Sequence, residues 1–341
     1  MRELLALVIV VAAAFAAEGY HVLNKIQIGG TGGWDYVTAD GVNRRLYVSH
    51  GTSVAIVDTD ADRVRGTITD LHGVHGIALA NEFNKGFISN GQSNSVTVFD
   101  LTSFAKTAEI PTGQNPDAIC YEPKTHRVFT FNGRSGDSTV IDAKSNAVVT
   151  TFPLGGKPEF CAASGDGKLY DNLEDKSELV EIDAAKPAVT RTAKLDPCDG
   201  PSGLAIDPTG GVVFSVCENK TMAVTDIKQM RVIAAAGIGE GPDAAGYDPG
   251  TGIAFSSNGR DGTLTLVKQV GGTWQAVETI ITEPGARTMA VDTVTHKVYL
   301  LTAGFGPMPG RRPQIWSEAR PGQRAHPPIR PDTFHVLVVG K

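Results

Sequence analysis

Three histidines open the chemical reading of this chain. His50 ends the run "RLYVSH", and His72 and His75 stand in "LHGVHGIAL". Imidazoles joined by water or carboxylate make an ordinary shell for zinc or another divalent transition metal. Asp35 and Asp117 are the carboxylates expected beside them. A bound metal with an open position activates water, and Glu159 would then serve as general base. Arg287 and Trp34 would orient an anionic or aromatic substrate. Such a set predicts a metal-dependent hydrolase or lyase acting on small lactone-like rings. The plainer alternative is a group of hydrogen-bonding surface histidines. His-x-x-His on a loop has no geometry of its own, so the elements carrying these residues must decide.

Those elements repeat. "SNGQSNSVTVFD" at 89–100 returns as "FNGRSGDSTVID" at 131–142 and as "SNGRDGTLTLVK" at 257–268, offsets of 42 and 126 residues. Units begin near Trp34, His75, Pro116, Pro158, Pro201, Pro242 and Ala286, in steps of 41 to 44. Each reads as four short strands with turn residues between them, and none shows sustained helical periodicity. Four strands recurring at this interval predict a β-propeller, here with seven blades. The last unit supplies only three strands, Thr288 to Val291, Lys297 to Leu301 and Phe334 to Val339. The fourth is expected from the other end of the chain, His21 to Ile28, which closes the ring and removes its open edge.

"RLYVSHGTSVAIVDTDADRVRGTI", "PDAICYEPKTHRVFTFNGRSGDSTVIDAKSNAVVTTF" and "GGKPEFCA" resemble the YVTN-type seven-bladed propeller repeats of the bacterial YncE-like proteins. The likeness runs over nearly all of residues 20–341. It implies the fold, but members of that family share no single activity. Related propellers include sugar-lactone hydrolases, an antibiotic lyase and quinoprotein-like domains, so the chemistry must come from the site.

In such a propeller one rim of the central channel is built from two sets of turns. Read in register, the corner positions are Asp35, Gly76, Asp117, Glu159, Ser202, Asp243 and Arg287. The second set is His50, Asn90, Asn132, Asn172, Cys217 and Asn258. With Trp34, this rim is the expected binding surface for a small molecule or a protein. Asn-Gly at 90, 132 and 258 also has a purely structural reading, as turns needing left-handed backbone. The corner acids could equally cap backbone amides. His126 and His296 fall at equivalent turns on the opposite end of the blades.

The remaining features set the context. A net charge of −6 argues against nucleic acid as partner. No nucleophile elbow, P-loop or dinucleotide fingerprint is present. Leu4 to Ala14 is an apolar run after Arg2, followed by Ala14-Phe15-Ala16, the pattern of a cleaved export signal over residues 1–16. Residues 17–341 would then be one propeller domain in a bacterial periplasm or outside the cell, without a transmembrane segment. Cys198 and Cys217 map to one rim of blade five and are expected to form a disulfide there. Cys120 and Cys161 fall on the first strands of adjacent blades. Buried free thiols are expected there, a bridge between blades being the alternative. Residues 304–332 carry seven Pro and five Arg and interrupt blade seven. They read as loosely packed ornament, a lid over the channel, or a docking arm. The leading functional expectation is a binding or interaction module acting through the rim, with the metal-dependent enzyme as the alternative.

Overall fold

The computed structural model describes residues 19–307 and 327–341. The expected export signal and most of the blade-seven insertion lie outside these residues. Seven four-stranded antiparallel sheets are present. Their innermost strands are Val37–Asp40, Val74–Ala80, Pro116–Glu122, Pro158–Ala163, Pro201–Asp207, Pro242–Asp248 and Thr288–Asp292. Each touches the next, and the last touches the first, so the sheets close a ring. The molecule is the seven-bladed propeller that the repeats predict.

The strands follow from their residues. Second and third strands such as Lys85–Asn90 and Ser95–Asp100 are buried along almost their whole length. They are pressed between neighbouring blades on both faces, so their apolar residues run nearly unbroken. Outer strands meet solvent on one face. Arg63–Ile68 and Arg231–Gly237 therefore alternate between exposed and covered positions. Turns on the end opposite the candidate rim are tied by carboxylates. Asp248 accepts the amide of Gly250 at 3.0 Å, and Asp207 accepts that of Gly210 at 2.9 Å. His126 and His296 occupy two of these turns with left-handed backbone.

Ring closure is as expected. His21–Gln27 pairs antiparallel with His335–Gly340, completing the sheet of Lys297–Thr302 and Thr288–Asp292. Ile26 is the anchor, fully buried among Leu301, Phe334 and Val336. The ends of the insertion also pair, Phe305 bridging to Ile329.

Both cysteine pairs are disulfides. Cys198–Cys217 joins corner and strand within blade five, with Cα atoms 5.6 Å apart. Cys120–Cys161 corrects the expectation of free thiols: innermost strands of adjacent blades converge toward the axis and bring these Cα atoms to 6.3 Å.

Ile26→Ala should lower the unfolding free energy by about 2–5 kcal/mol, whereas Leu23→Ala, on the exposed side of the same strand, should cost much less. Denaturant titration of both variants checks this, and equal small losses would mean that the closing strand is not an integral part of the core.

Candidate functional site

The corner residues reach the channel because the innermost strands are irregular at their starts. Pairing with the second strand shifts register between Pro116 and Ile119, Pro158 and Cys161, Pro201 and Leu204, and Pro242 and Ala244. Such bulges bend a strand and re-aim its side chains. Asp117, Glu159, Ser202 and Asp243 lie within these irregular steps. In blade two the register corrects the expected corner. Val74 pairs with Asn90 as Pro116 pairs with Asn132, so His75, not Gly76, is the equivalent of Asp117, and a Cβ on Gly76 would meet Ile119 Cγ2 at 2.9 Å.

A ring of largely alternating charge results. His75 Nδ1 donates to Asp35 Oδ2 at 2.5 Å and lies 3.3 Å from Asp117 Oδ1. Arg287 pairs with Asp243, lies 3.9 Å from Asp35 and donates to the Trp34 carbonyl at 2.8 Å. Lys157 lies 3.2 Å from Glu159 and also pairs with Glu174. Below the ring, Tyr36 of blade one crosses the channel. Its hydroxyl donates to the Glu159 carbonyl of blade four at 3.4 Å, and its ring packs edge-on against Phe160 at 4.8 Å. Those two aromatics floor the mouth.

Burial and crowding shift the titrations here. Burial pushes Asp117 up to about 7, with Asp35 and Asp243 adding to the rise while His75 and Lys157 oppose it. Burial also pushes Glu159 up to about 8, Lys157 opposing and Asp117 adding. At His75 burial disfavours the charged form, but the Asp35 hydrogen bond and the charges of Asp117 and Glu159 prevail, and its pKa rises to about 9. Arg287 is likewise held charged by Asp243 and Asp35 against its desolvation. Groups titrating near neutrality in a cleft can exchange protons with a bound molecule. Asp35, His75 and Asp117 also offer three donor atoms within 4.8 Å of one another, the one such set among the described residues.

Other expected site residues lie elsewhere. His50 and His72 do not join His75. The His50 ring stacks on Phe334 at 4.4 Å, where burial lowers its pKa. His72 lines a separate cavity of about 220 Å³ between blades one and two, with Asp70, Asn90, Lys106 and Glu109. The Trp34 ring turns into the blade-seven boundary, stacked on Phe334 at 5.3 Å. Asn132 and Asn258 are fully buried and brace their own blades, donating to Thr139 at 3.1 Å and to Thr265 at 2.9 Å. Asn90 likewise donates to Thr97 at 2.9 Å. Asn172 is one residue out of step. Leu173 holds the equivalent place, and buried Asn172 donates to the Ser202 carbonyl of the next blade at 2.9 Å. The glycines after the three other amides are not left-handed. They admit a neighbour instead: a Cβ on Gly91 would meet His75, and one on Gly259 would meet Arg287.

Sequence reasoning missed Tyr36, Phe160 and Lys157. Their signal was position, since each lies within two residues of a corner residue on the strand or its approach.

No protein-family model matches the chain, and no curated protein matches its sequence. Solved structures match by fold. A chain of the hydrazine synthase of Kuenenia stuttgartiensis superposes with a TM-score of 0.70 at 16% identity, covering 83% of this chain and 96% of that one. The structure of U3-55K gives 0.72 at 9% identity, covering 94% and 98%. At such identities the likeness shows the propeller fold alone.

His75, Asp117 and Glu159 all hold protons more tightly folded than unfolded. Each therefore contributes stability that is full at low pH and is lost as pH rises, His75 between 6.5 and about 9, Asp117 between 3.8 and about 7, and Glu159 between 4.5 and about 8. The melting temperature should fall from pH 6 to pH 9, and Glu159→Gln should flatten the fall below pH 8. A wild-type profile that rises over this range would contradict the assignment.

Proposed function

We propose that the protein is an exported binding module that takes a small molecule bearing a cationic group at the floored mouth of its channel. The observation that carries this reading is the crowding of Asp35, Asp117, Glu159 and Asp243, with two of these carboxyls pushed to about 7 and 8. A cation entering the mouth relieves that crowding and lets the acids ionise. Tyr36 and Phe160 add an aromatic floor, which favours organic ammonium or guanidinium groups. Two disulfides suit a compartment where they persist, periplasmic or extracellular. Among the described residues no helix is long and apolar enough to cross a membrane. Titration calorimetry with a panel of amines and guanidines, in buffers of different ionisation enthalpy, should show binding with proton release near pH 7.5. Asp117→Asn should weaken it about tenfold or more. Binding that is indifferent to Asp117→Asn and Glu159→Gln would remove the mouth as the site.

A second reading rests on the convergence of Asp35, His75 and Asp117. The same three donors would hold a divalent transition metal once His75 loses its proton, and Glu159 would serve as base toward small lactone-like substrates. The two readings diverge with pH. Metal uptake, measured by mass spectrometry of protein dialysed against zinc or manganese, should increase toward pH 9 as His75 deprotonates and disappear in His75→Ala. No uptake at any pH would eliminate the metal-dependent chemistry.

A further inference from the structure

Among the described residues, Asp171 is the one whose buried side chain leaves two polar atoms without a hydrogen bond. Its carboxyl is fully buried on the second strand of blade four, and neither oxygen has a hydrogen bond of ordinary geometry. The internal repeats explain why. The equivalent residue is Val48, Ile88 or Leu300 in three other blades and polar in the remaining three, Thr130, Ser215 and Ser256. Thr130 and Ser256 each donate to the asparagine two places on, at 3.0 and 2.9 Å, and Ser215 donates to Asn172 at 2.8 Å. In blade four the residue two places on is Leu173, so no amide is there to meet Asp171. Burying an unpaired carboxyl costs stability that a serine would not.

Its register partner supplies a purpose. Asp171 lies directly opposite Cys161 in the antiparallel ladder, so the two side chains stand side by side on one face. Cys161 is bonded to Cys120 of blade three. The two residues differ in access: Cys120 is half-buried, whereas Cys161 is only 4% exposed. The second disulfide is buried at both ends, with Cys198 at 4% and Cys217 at 0%.

We propose that Cys120–Cys161 is an exchangeable, redox-active disulfide that accepts electrons from dithiols, with Asp171 as proton source for the Cys161 leaving group. One thiolate of the dithiol attacks Cys120 Sγ. The Cys120–Cys161 bond breaks, its electron pair leaves on Cys161 Sγ, and Asp171 gives that sulfur its proton. The second thiol of the dithiol, deprotonated by solvent, then attacks the mixed disulfide and releases Cys120, which takes a proton from solvent. The dithiol ends as a disulfide, the protein holds two thiols, and Asp171 is reprotonated from water. Burial and the nearby Glu159 charge, opposed by a weaker interaction with the Glu159 backbone amide, keep Asp171 protonated well above the usual carboxyl range, which suits it to this role.

The test is native-state reduction by dithiothreitol, followed by differential alkylation and peptide mass spectrometry, with Cys198–Cys217 as reference in the same molecule. Cys120–Cys161 should be reduced about tenfold or more faster than the reference, without loss of the folded circular-dichroism signal. Asp171→Asn should slow that reduction about tenfold or more below neutral pH, with the difference narrowing as pH rises. Asp171→Ser, the residue native to the equivalent position in two other blades, should fold and show the same loss. Reduction of both disulfides only at the rate of global unfolding would overturn the proposal and leave Cys120–Cys161 a structural staple. Unchanged rates and pH profile in both variants would remove Asp171 from the mechanism.

Discussion

A single ladder of backbone hydrogen bonds, between the strand that begins the described chain and the strand that ends it, holds the architecture in one piece. His21–Gln27 against His335–Gly340 converts seven adjoining sheets into a closed ring. Without it the last sheet would present an open edge, and blades one and seven would lose their common core around Ile26, Trp34 and Phe334. Every group at the channel mouth also depends on this closure. Arg287 of blade seven reaches Asp35 and the Trp34 carbonyl of blade one only across the seam that the ladder fastens.

A closed ring has a consequence for electrostatics. Each blade contributes one corner to a narrow mouth, so charges that would be harmless on separate surface turns are forced together. The chain answers with largely alternating signs, Arg287, Asp35, His75 and Asp117 in succession. The alternation is incomplete at blades four to six. Lys157 reaches in beside Glu159 from outside the ring of corners, and blade five offers Ser202. Asp117 and Glu159 are left as the most strongly perturbed acids of the ring. That imbalance is what makes the mouth a binding site in physical terms, because a cation can complete what the protein leaves partly uncompensated.

Blade four departs from the repeat at a second place. Leu173, where three other blades carry asparagine, joins the apolar cluster shared with blade three. It also strands Asp171 and moves the amide function to Asn172, which now ties blade four to blade five. Three adjacent residues, Asp171, Asn172 and Leu173, thus stand where blade three has Thr130, Phe131 and Asn132, and together they reassign a bracing side chain and place a buried acid beside a disulfide.

Read alone, the sequence determined the blade count, the strand grammar, the closure by a terminal strand and the Cys198–Cys217 pairing. These properties are local or repeat at a fixed interval: alternation along a strand, turn chemistry, and a missing fourth strand in the last unit. It also named the corner ring of Asp35, Asp117, Glu159, Asp243 and Arg287, because register alone aligns those positions. Tertiary structure decided the rest. Bulges at the strand starts choose which side chains face the channel, which brings His75 to Asp35 and Asp117 while His50 and His72 go elsewhere. The convergence of neighbouring blades toward the axis pairs Cys120 with Cys161 and sets the close approaches that require Gly91 and Gly259. Periodicity carries no information about distances between blades, and those distances are what turn a repeated rim into one particular site.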